Sequence, residues 1–585
     1  MSSDRIDEHR RRLLRGGGMA ALAALAGCSA SQVPGGNDDD DDDDETDGPV
    51  RKVDDWQYDP GGGGDGGGGG GGNVSATKAQ SAAADGAGFA VGGAKDVNNF
   101  RQNVEEGYLP LPTDVSYEGL FYDYRFDTAA ADSCSTLFCP TYATATTADP
   151  LSGETERYMT VGLNSNLAPE EVERPPLNLV VVLDVSGSMS AGFGEYYYDR
   201  AGNRQAVENP EQPKIDVARE ALADLTRQLR SEDRLGIVTY QSTSQVAKPM
   251  RLVEETDMAA IRGHFEELQA DGGTNLSAGL SNAVDLLSEY DPDPAERETR
   301  AVVLTDAMPN LGETSEGGLR STLTEQAEQY RHVTFVGVGV DFNTEIVDAI
   351  TEIRGANYYS VRSPEQFERR LGEEFTYMVT PMVFDLSVEV EGSLDLERVY
   401  GTTAAEEATG QVLYARTLFP SPTSEAGTKG GVILAKVRHT GGGSVELTAE
   451  WEDRTGESGR TSTRVTFPAG EPERFGSSAV RKAVLLSRYA DLLRSWATDE
   501  RERDGEPRTA GVRVPERDLG EWERRSVDLR VSPDYRERFD RFADHFESET
   551  AALGDDALSR ELEILETLAT YGSEPALDEG LAVGE

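Results

Sequence analysis

An apolar run that ends in oxygen-bearing side chains is the feature that most constrains the fold of this chain. Residues 178–183, Asn-Leu-Val-Val-Val-Leu, are typical of a parallel strand buried on both faces. Asp184, Ser186 and Ser188 follow at once, within Asp-Val-Ser-Gly-Ser. They would offer a carboxylate and two hydroxyls at the carboxyl edge of a sheet, where open α/β sheets bind ligands. The sequence therefore predicts an α/β domain with a polar ligand site at that edge.

Two further oxygen donors occupy comparable positions. Thr274 follows two glycines in a predicted loop, and Asp306 ends a second apolar run, residues 301–305. An oxygen-only set without Cys or His suits Mg²⁺, Mn²⁺ or Ca²⁺ rather than zinc. We therefore predict a divalent-cation site at the sheet edge. Its predicted residues are Asp184, Ser186, Ser188, Thr274 and Asp306.

This spacing of Asp-x-Ser-x-Ser, a distant Thr and a more distant Asp resembles the metal-ion-dependent adhesion site of von Willebrand factor A (VWA) domains. The resemblance implies that Ser186, Ser188 and Thr274 are direct hydroxyl ligands. It implies that Asp184 and Asp306 act mainly through water. The cation, Mg²⁺ first with Mn²⁺ or Ca²⁺ as alternatives, would then be under-neutralised. It could take an Asp or Glu carboxylate of a protein partner as its last ligand.

The remaining pattern predicts several regions. Strands alternate with helices over 176–376, which predicts a Rossmann-like, doubly wound VWA domain. The apolar period changes to two over 377–470, a β-rich and sandwich-like domain, and 471–585 is helical by pattern. Residues 97–175 form a β-rich region that resembles the N-terminal signature of YfbK-type VWA proteins. Strands within 115–170 are expected to join the later sheets, with the VWA domain inserted between them.

One insertion lies beside the predicted metal site. Residues 191–212 are rich in Gly, Tyr and Asp, with three consecutive tyrosines at 196–198. Such a loop is either a contact for a partner or a segment that packs on its own domain. Both interpretations remain open.

The N-terminus predicts export and a lipid anchor. Residues 10–15, Arg-Arg-Arg-Leu-Leu-Arg, match the twin-arginine pattern, and the apolar stretch 19–27 is too short to span a bilayer. Leu-Ala-Gly-Cys28 matches a lipobox. We therefore predict a signal peptide over 1–27, lipid on Cys28 and a position on the outer face of the cell membrane. The alternative is a cytosolic protein with a chance arginine cluster.

Low-complexity composition marks the next segment. Residues 38–44 are all aspartate and 61–72 are almost all glycine. Because neither run can bury a core, 28–96 is predicted to be a disordered tether. The aspartates serve as a solvated spacer or, alternatively, attract Ca²⁺.

The cysteine pattern agrees with export. Apart from Cys28, the chain has Cys134 and Cys139. An oxidising compartment favours a disulfide between them, and two free thiols are the alternative.

Net charge restricts the possible partners. The formal charge is −51, it is spread along the chain, and eight residues are lysine. An acidic, lysine-poor surface suits molar salt, where charge repulsion is screened within about 3 Å. We therefore predict a halophilic source, with an ordinary acidic protein as the alternative. Such a surface argues against binding nucleic acid.

Motifs for catalysis are missing from the sequence. There is no His-Glu-x-x-His, no Gly-x-Ser-x-Gly and no glycine-rich phosphate loop that opens a helix. The sequence therefore favours a non-enzymatic, surface-anchored binding or adhesion module. The alternatives are an accessory subunit of a membrane transport or channel complex, a hydrolase, and an assembly factor for an ATPase. The last is disfavoured by export.

Overall fold

The computed structural model describes most of the chain beyond residue 51. The described residues are 52–60, 88–92, 98–105, 107–128, 136–167, 173–192, 212–290, 293–306, 316–338, 352–361, 366, 369–402, 412–424, 426–439, 444–467, 474–503 and 527–572. Several predictions fall outside these ranges. They concern the signal peptide 1–27, Cys28, Cys134 and most of the insertion 191–212.

The described part contains both strands and helices. The strands are β1 Gly88–Val91, β2 Arg125–Phe126, β3 Thr141–Ala148, β4 Thr155–Gly162, β5 Leu177–Asp184, β6 Arg234–Tyr240, β7 Ser244–Leu252, β8 Glu298–Thr305, β9 Arg331–Val338, β10 Asn357–Val361, β11 Val383–Glu391, β12 Leu394–Tyr400, β13 Val412–Ser421, β14 Thr423–Ser424, β15 Gly427–Lys429, β16 Val432–His439, β17 Ser444–Asp453, β18 Ser458–Thr466 and β19 Arg474–Phe475. The α-helices are α1 Asn98–Glu105, α2 Tyr117–Tyr122, α3 Lys214–Arg227, α4 Met258–His264, α5 Leu276–Ser288, α6 Glu316–Glu328, α7 Phe375–Val379, α8 Ser478–Glu502, α9 Pro533–Leu553 and α10 Ser559–Thr570. In the described part, strands alternate with helices between β5 and α7, β11 to β19 then follow one another, and α8 to α10 come last.

The predicted α/β domain is built on a sheet with the order β10-β9-β8-β5-β6-β7. β5 lies between β8 and β6 and runs parallel to both, whereas β7, at one edge, is antiparallel to β6. Leu179 and Val181 face a core shared with α3, and Val180 and Val182 face a second core shared with α5. Burial on both faces explains the unbroken apolar run, and the doubly wound α/β fold is as predicted.

A β-sandwich flanks this domain. Its two sheets have the orders β1-β13-β11-β17-β18 and β12-β16-β4-β3-β19. Met159 and Val161 from one sheet share a core with Val388 and Leu447 from the other. Because β3 and β4 precede the α/β domain and β11 to β18 follow it, that domain is inserted within the sandwich. Regions 97–175 and 377–470 therefore contribute to one unit.

Helices from both ends of the described region cover the second sheet of the sandwich. α8 packs against it together with α2, α9 and α10, in one apolar core. Within this layer Glu561 of α10 is fully buried, and it pairs with Arg101 of α1 and accepts a 2.6 Å hydrogen bond from Tyr124. No helix in the described ranges is long and apolar enough to cross a membrane.

The predicted tether is ordered in two places. Residues 88–91 form β1, which pairs with β13, and residues 53–59 lie against β7 and α4. The prediction of disorder over 28–96 is therefore wrong for 52–60 and 88–92. Aspartate and glycine dominate the composition of this region. Two short stretches with aromatic residues, at Trp56 and Phe89, were therefore not predicted to be ordered.

One of the predicted disulfide cysteines is described. Cys139 is buried and forms a disulfide. Because Cys134 lies outside the described residues, the pairing of these two cysteines stays a prediction.

Candidate metal centre

A tight turn after β5 brings the two serines together. Asp184, the last residue of β5, is fully buried, and its Oδ1 accepts a 2.8 Å hydrogen bond from the backbone N–H of Ser186. This bond between an aspartate and the amide two residues later is a turn that Asp favours. A 3-10 turn over 187–190 follows, and Ser186 Oγ lies 3.0 Å from Ser188 Oγ. Both hydroxyls therefore lie beside Asp184 at the carboxyl edge of the sheet.

The neighbouring strand β8 supplies the second carboxylate. Asp306 follows β8 directly, is fully buried, and accepts a 2.9 Å hydrogen bond on Oδ1 from Ser188. Oδ2 of Asp184 accepts hydrogen bonds from Thr305 Oγ1 at 2.7 Å and from the Tyr240 hydroxyl at 3.0 Å. These donors hold the Asp184 carboxylate in one orientation.

The loop that carries Thr274 packs on the same turn. Gly187 N–H donates to the carbonyl of Gly272 at 3.1 Å, and Asp271 N–H donates to the carbonyl of Val185 at 2.9 Å. A Cβ at position 187 would lie 3.2 Å from the Gly272 oxygen, which explains the glycine between the two serines. Thr274 is buried and lies two residues before α5. The structure thus places its loop against the two-serine turn.

Two buried carboxylates, Asp184 and Asp306, lie at this edge. Burial and, secondarily, the charge of Asp306 raise the pKa of Asp184 to about 7. Lys214, the first residue of α3, places its Nζ 3.1 Å from Oδ2 of Asp306, and both side chains are buried. Among the described contacts, the ammonium pairs with Asp306, and Asp184 has neutral donors.

Sequence reasoning did not identify Lys214 as part of this site. It is one of eight lysines in the chain, and it begins the first helix after the serine turn. That position was the available signal, because a helix that follows the turn must start near the same sheet edge.

The donor set fits a hard divalent cation. Asp184, Ser186, Ser188 and Asp306 are linked by direct hydrogen bonds, and the loop of Thr274 contacts the same turn. Within the described ranges, no group of three or more His, Cys, Asp and Glu side chains could hold a metal. A site dominated by hydroxyls is not of that kind, and its oxygens match the preference of Mg²⁺ and Mn²⁺.

Comparison with known protein families defines the class of this domain. Residues 179–308 match the family model described as "von Willebrand factor type A domain". The match begins in β5, includes the Thr274 loop and ends just after Asp306. The chain therefore contains a VWA domain.

Individual proteins are similar to part of this chain at low identity. The uncharacterized protein YfbK of Escherichia coli (strain K12) is 24% identical over 220 residues, covering 37% of this chain and 34% of YfbK. The inter-alpha-trypsin inhibitor heavy chain H4 of Bos taurus is 21% identical over 244 residues, covering 41% of this chain and 24% of the heavy chain. The alignments thus span about a third or less of these relatives. A solved structure of a von Willebrand factor type A protein from Catenulispora acidiphila is 15% identical, with a TM-score of 0.40, and the match covers 64% of this chain and 84% of that one.

Proposed function

We propose that this protein is a cell-surface binding or adhesion module that captures an acidic group of a protein partner through a divalent cation. VWA domains typically mediate protein–protein interaction, and the sheet edge offers the oxygen donors for a cation. Asp184, Ser186, Ser188, Thr274 and Asp306 would hold it. When bound, the cation would supply a coordination position for a partner's Asp or Glu carboxylate, with Mg²⁺ the favoured metal.

The charge and contacts of the serine turn are the observation that carries this proposal. The hydroxyls of Ser186 and Ser188 contact each other, Ser188 donates to Asp306, and Lys214 pairs with Asp306, one of the two buried carboxylates at this edge. A bound cation would stabilise the charged form of Asp184, which burial and the charge of Asp306 disfavour. An acidic partner would otherwise be repelled by a chain with a charge of −51, so a local positive centre is needed to attract it.

Chain organisation supports a place outside the cell. We propose that residues 1–27 direct export, that lipid on Cys28 anchors the chain to the outer face of the membrane, and that Asp- and Gly-rich segments space the domains from the lipid. In a halophilic setting, molar salt would screen the repulsion between this acidic surface and an acidic partner.

A catalytic role has no support from the geometry. In the described ranges, Ser186 and Ser188 have hydroxyl and carboxylate partners, and no imidazole contacts them. His264 pairs with Asp54 and Glu267 instead. A serine nucleophile requires an adjacent general base, so we propose binding without catalysis.

Capture of the partner in the presence and absence of metal tests the proposed function. Cell-surface proteins are crosslinked to the purified chain in high salt, with Mg²⁺ or with EDTA, and the captured proteins are identified. We expect capture by wild type in Mg²⁺, and its loss in EDTA or in Asp184→Ala. Asp285→Ala removes an exposed aspartate of α5 and should capture normally. Equal capture by Asp184→Ala, or in EDTA, would contradict the proposal.

A further inference from the structure

A short acidic and aromatic segment lies on the edge of the VWA sheet, outside the metal centre. Residues 53–59, Val-Asp-Asp-Trp-Gln-Tyr-Asp, stand in the sequence between the aspartate run and the glycine run. They contact the edge strand β7 and helix α4 with its following turn. We call this receiving surface the edge groove. It consists of Gln245, Ala247, Lys248, Arg251, His264, Phe265 and Glu267.

Backbone contacts align the segment with the groove. Gln57 N–H donates to the carbonyl of Ala247 at 2.7 Å, and Val53 N–H donates to the carbonyl of Glu255 at 2.9 Å. Asp59 and the Gln245 side chain exchange two hydrogen bonds, of 3.2 and 3.3 Å. The segment therefore covers part of the β7 edge, which would otherwise present unpaired backbone groups.

Asp55 enters a cationic pocket. Its carboxylate lies 3.3 Å from Lys248 Nζ and 2.9 Å from Arg251 Nε. The Lys248 side chain is fully buried in the edge strand, and its Nζ also donates to two backbone carbonyls. Burial lowers the pKa of Lys248, and Asp55 opposes that shift by stabilising the ammonium. The groove thus contains a buried positive charge for which the segment supplies a carboxylate.

Beside that pocket, Trp56 packs on the rings of His264 and Phe265. Its ring stacks on His264 with a centroid distance of 5.7 Å and an interplanar angle of 3°, and it packs on Phe265 at 5.8 Å. Its indole N–H donates to Glu267 at 3.2 Å. Trp56 and Tyr58 remain only half-buried, and Val53 is exposed. Main-chain hydrogen bonds to a sheet edge, combined with separate pockets for side chains, are typical of a peptide that binds at that edge.

From these contacts we infer that the edge groove is a recognition site for a peptide of the pattern Asp-Asp-Trp-x-Tyr, and that residues 53–59 of the same chain are its occupant. Specificity comes from the Asp55 carboxylate, which pairs with Lys248 and Arg251, and from the Trp56 indole, which stacks on His264. The groove shares no residue with the predicted metal ligands, and the nearest link to them is the 3.2 Å hydrogen bond that the Gln269 N–H, in the loop leading to Thr274, donates to the Tyr58 hydroxyl.

Peptide binding in trans tests the inference. The probe is a fluorescent peptide of residues 52–60, and the receiver is the full chain with residues 53–59 replaced by Gly and Ser at equal length. We expect saturable binding to this chain, and binding weaker by about tenfold or more to wild type, whose own segment fills the groove. The Trp56→Ala peptide and the Asp55→Asn peptide should each bind about tenfold more weakly or worse.

Two controls keep the test decisive. Arg251→Ala in the receiver should weaken binding, whereas Arg460→Ala on β18, which pairs with Glu450 in the sandwich outside the groove, should not. If the replaced chain fails to give a cooperative thermal transition, the Asp55→Asn/Trp56→Ala chain serves as receiver, because it lacks the carboxylate and the indole through which the segment fills the groove. A folded receiver that does not bind the peptide overturns the inference. So does a wild-type chain that binds it as well as the receiver.

Discussion

At the scale of single residues, Lys214 is the main addition to the predicted site. Its ammonium pairs with Asp306, one of two buried carboxylates at the edge where the sequence predicts a cation. A buried ion pair offsets part of the cost of burying Asp306, but Asp184 has only neutral donors in its described contacts. Lys214 thus supplies part of the positive charge that this site requires.

Removing that ammonium should strengthen cation binding. Lys214→Met keeps an apolar stem but leaves Asp306 without its charged partner, so the attraction for Mg²⁺ rises. We expect the Kd for Mg²⁺, measured by calorimetry, to fall about tenfold or more. Lys436→Met, which removes a lysine paired with Glu156 in the sandwich, is the matched control and should leave the Kd unchanged. A weaker affinity in Lys214→Met would mean that Lys214 holds Asp306 in place for the metal.

His264 should make docking of the segment depend on pH. Burial alone would lower its pKa, but hydrogen bonds and charges from Asp54 and Glu267 outweigh burial and raise it. Glu267 neighbours His264 in the sequence, whereas Asp54 belongs to the segment, so the part of the shift caused by Asp54 makes the imidazolium favour the docked state. This contribution is lost as pH rises through the raised pKa. Hydrogen exchange at Val53 and Gln57, corrected for intrinsic rates, should therefore show falling protection as pH rises above about 6.5, the ordinary pKa of histidine.

The variant His264→Gln isolates this effect. It keeps a hydrogen-bonding side chain but does not titrate in this range. Protection of Val53 and Gln57 should then be lower at acidic pH and nearly flat with pH. A wild-type slope that persists in His264→Gln would assign the pH dependence to another group.

At the scale of elements, an ion pair fixes the entry of the chain into the VWA sheet. Arg174, just before β5, binds Asp233, just before β6, through two hydrogen bonds of 2.8 and 2.7 Å, and both side chains are buried. Asp233 also accepts from the backbone N–H groups of Leu177 and Arg230, each at 2.7 Å. One carboxylate thus sets the start of two neighbouring strands, whose other ends carry the candidate metal centre.

Neutralising that carboxylate should destabilise the domain. Asp233→Asn leaves the buried Arg174 charge unpaired, and we expect the free energy of unfolding to fall by about 3 to 5 kcal/mol. Asp395→Asn, in a surface pair with Arg438, is the matched control and should change it by less than about 1 kcal/mol. Denaturant unfolding measures both. If both variants lower the free energy of unfolding by the same amount, the pair between Arg174 and Asp233 does not stabilise the domain as proposed.

Elements with a strong apolar pattern were predictable, and contacts made at a distance were not. The run that forms β5 predicted its two-sided burial, and Asp306 after β8 followed from the same logic. The docked segment was missed because it joins the sheet edge through Asp55, Trp56 and Tyr58, without a period of its own. Lys214 was missed because its one signal is its position at the start of the first helix after the serine turn, and a single lysine there has no repeating pattern.

At the scale of the whole molecule, the acidic chain limits how a metal site can be detected. A charge of −51 and the aspartate run at 38–44 can attract divalent cations without a defined site. A test of the metal centre must therefore separate one specific cation from this background. The specifically bound cation and the background cations respond differently to substitution, because only the specific site depends on the buried residues at the sheet edge.

Manganese binding followed by electron paramagnetic resonance provides this test most directly. The chain with residues 38–44 changed to asparagine is titrated with Mn²⁺ in high salt, and Asp184→Asn, Ser186→Ala and Asp285→Asn are each made in that background. Our account predicts one tightly bound Mn²⁺ that Mg²⁺ displaces, lost in Asp184→Asn and Ser186→Ala but kept in Asp285→Asn. Unchanged Mn²⁺ binding in Asp184→Asn and Ser186→Ala would contradict it.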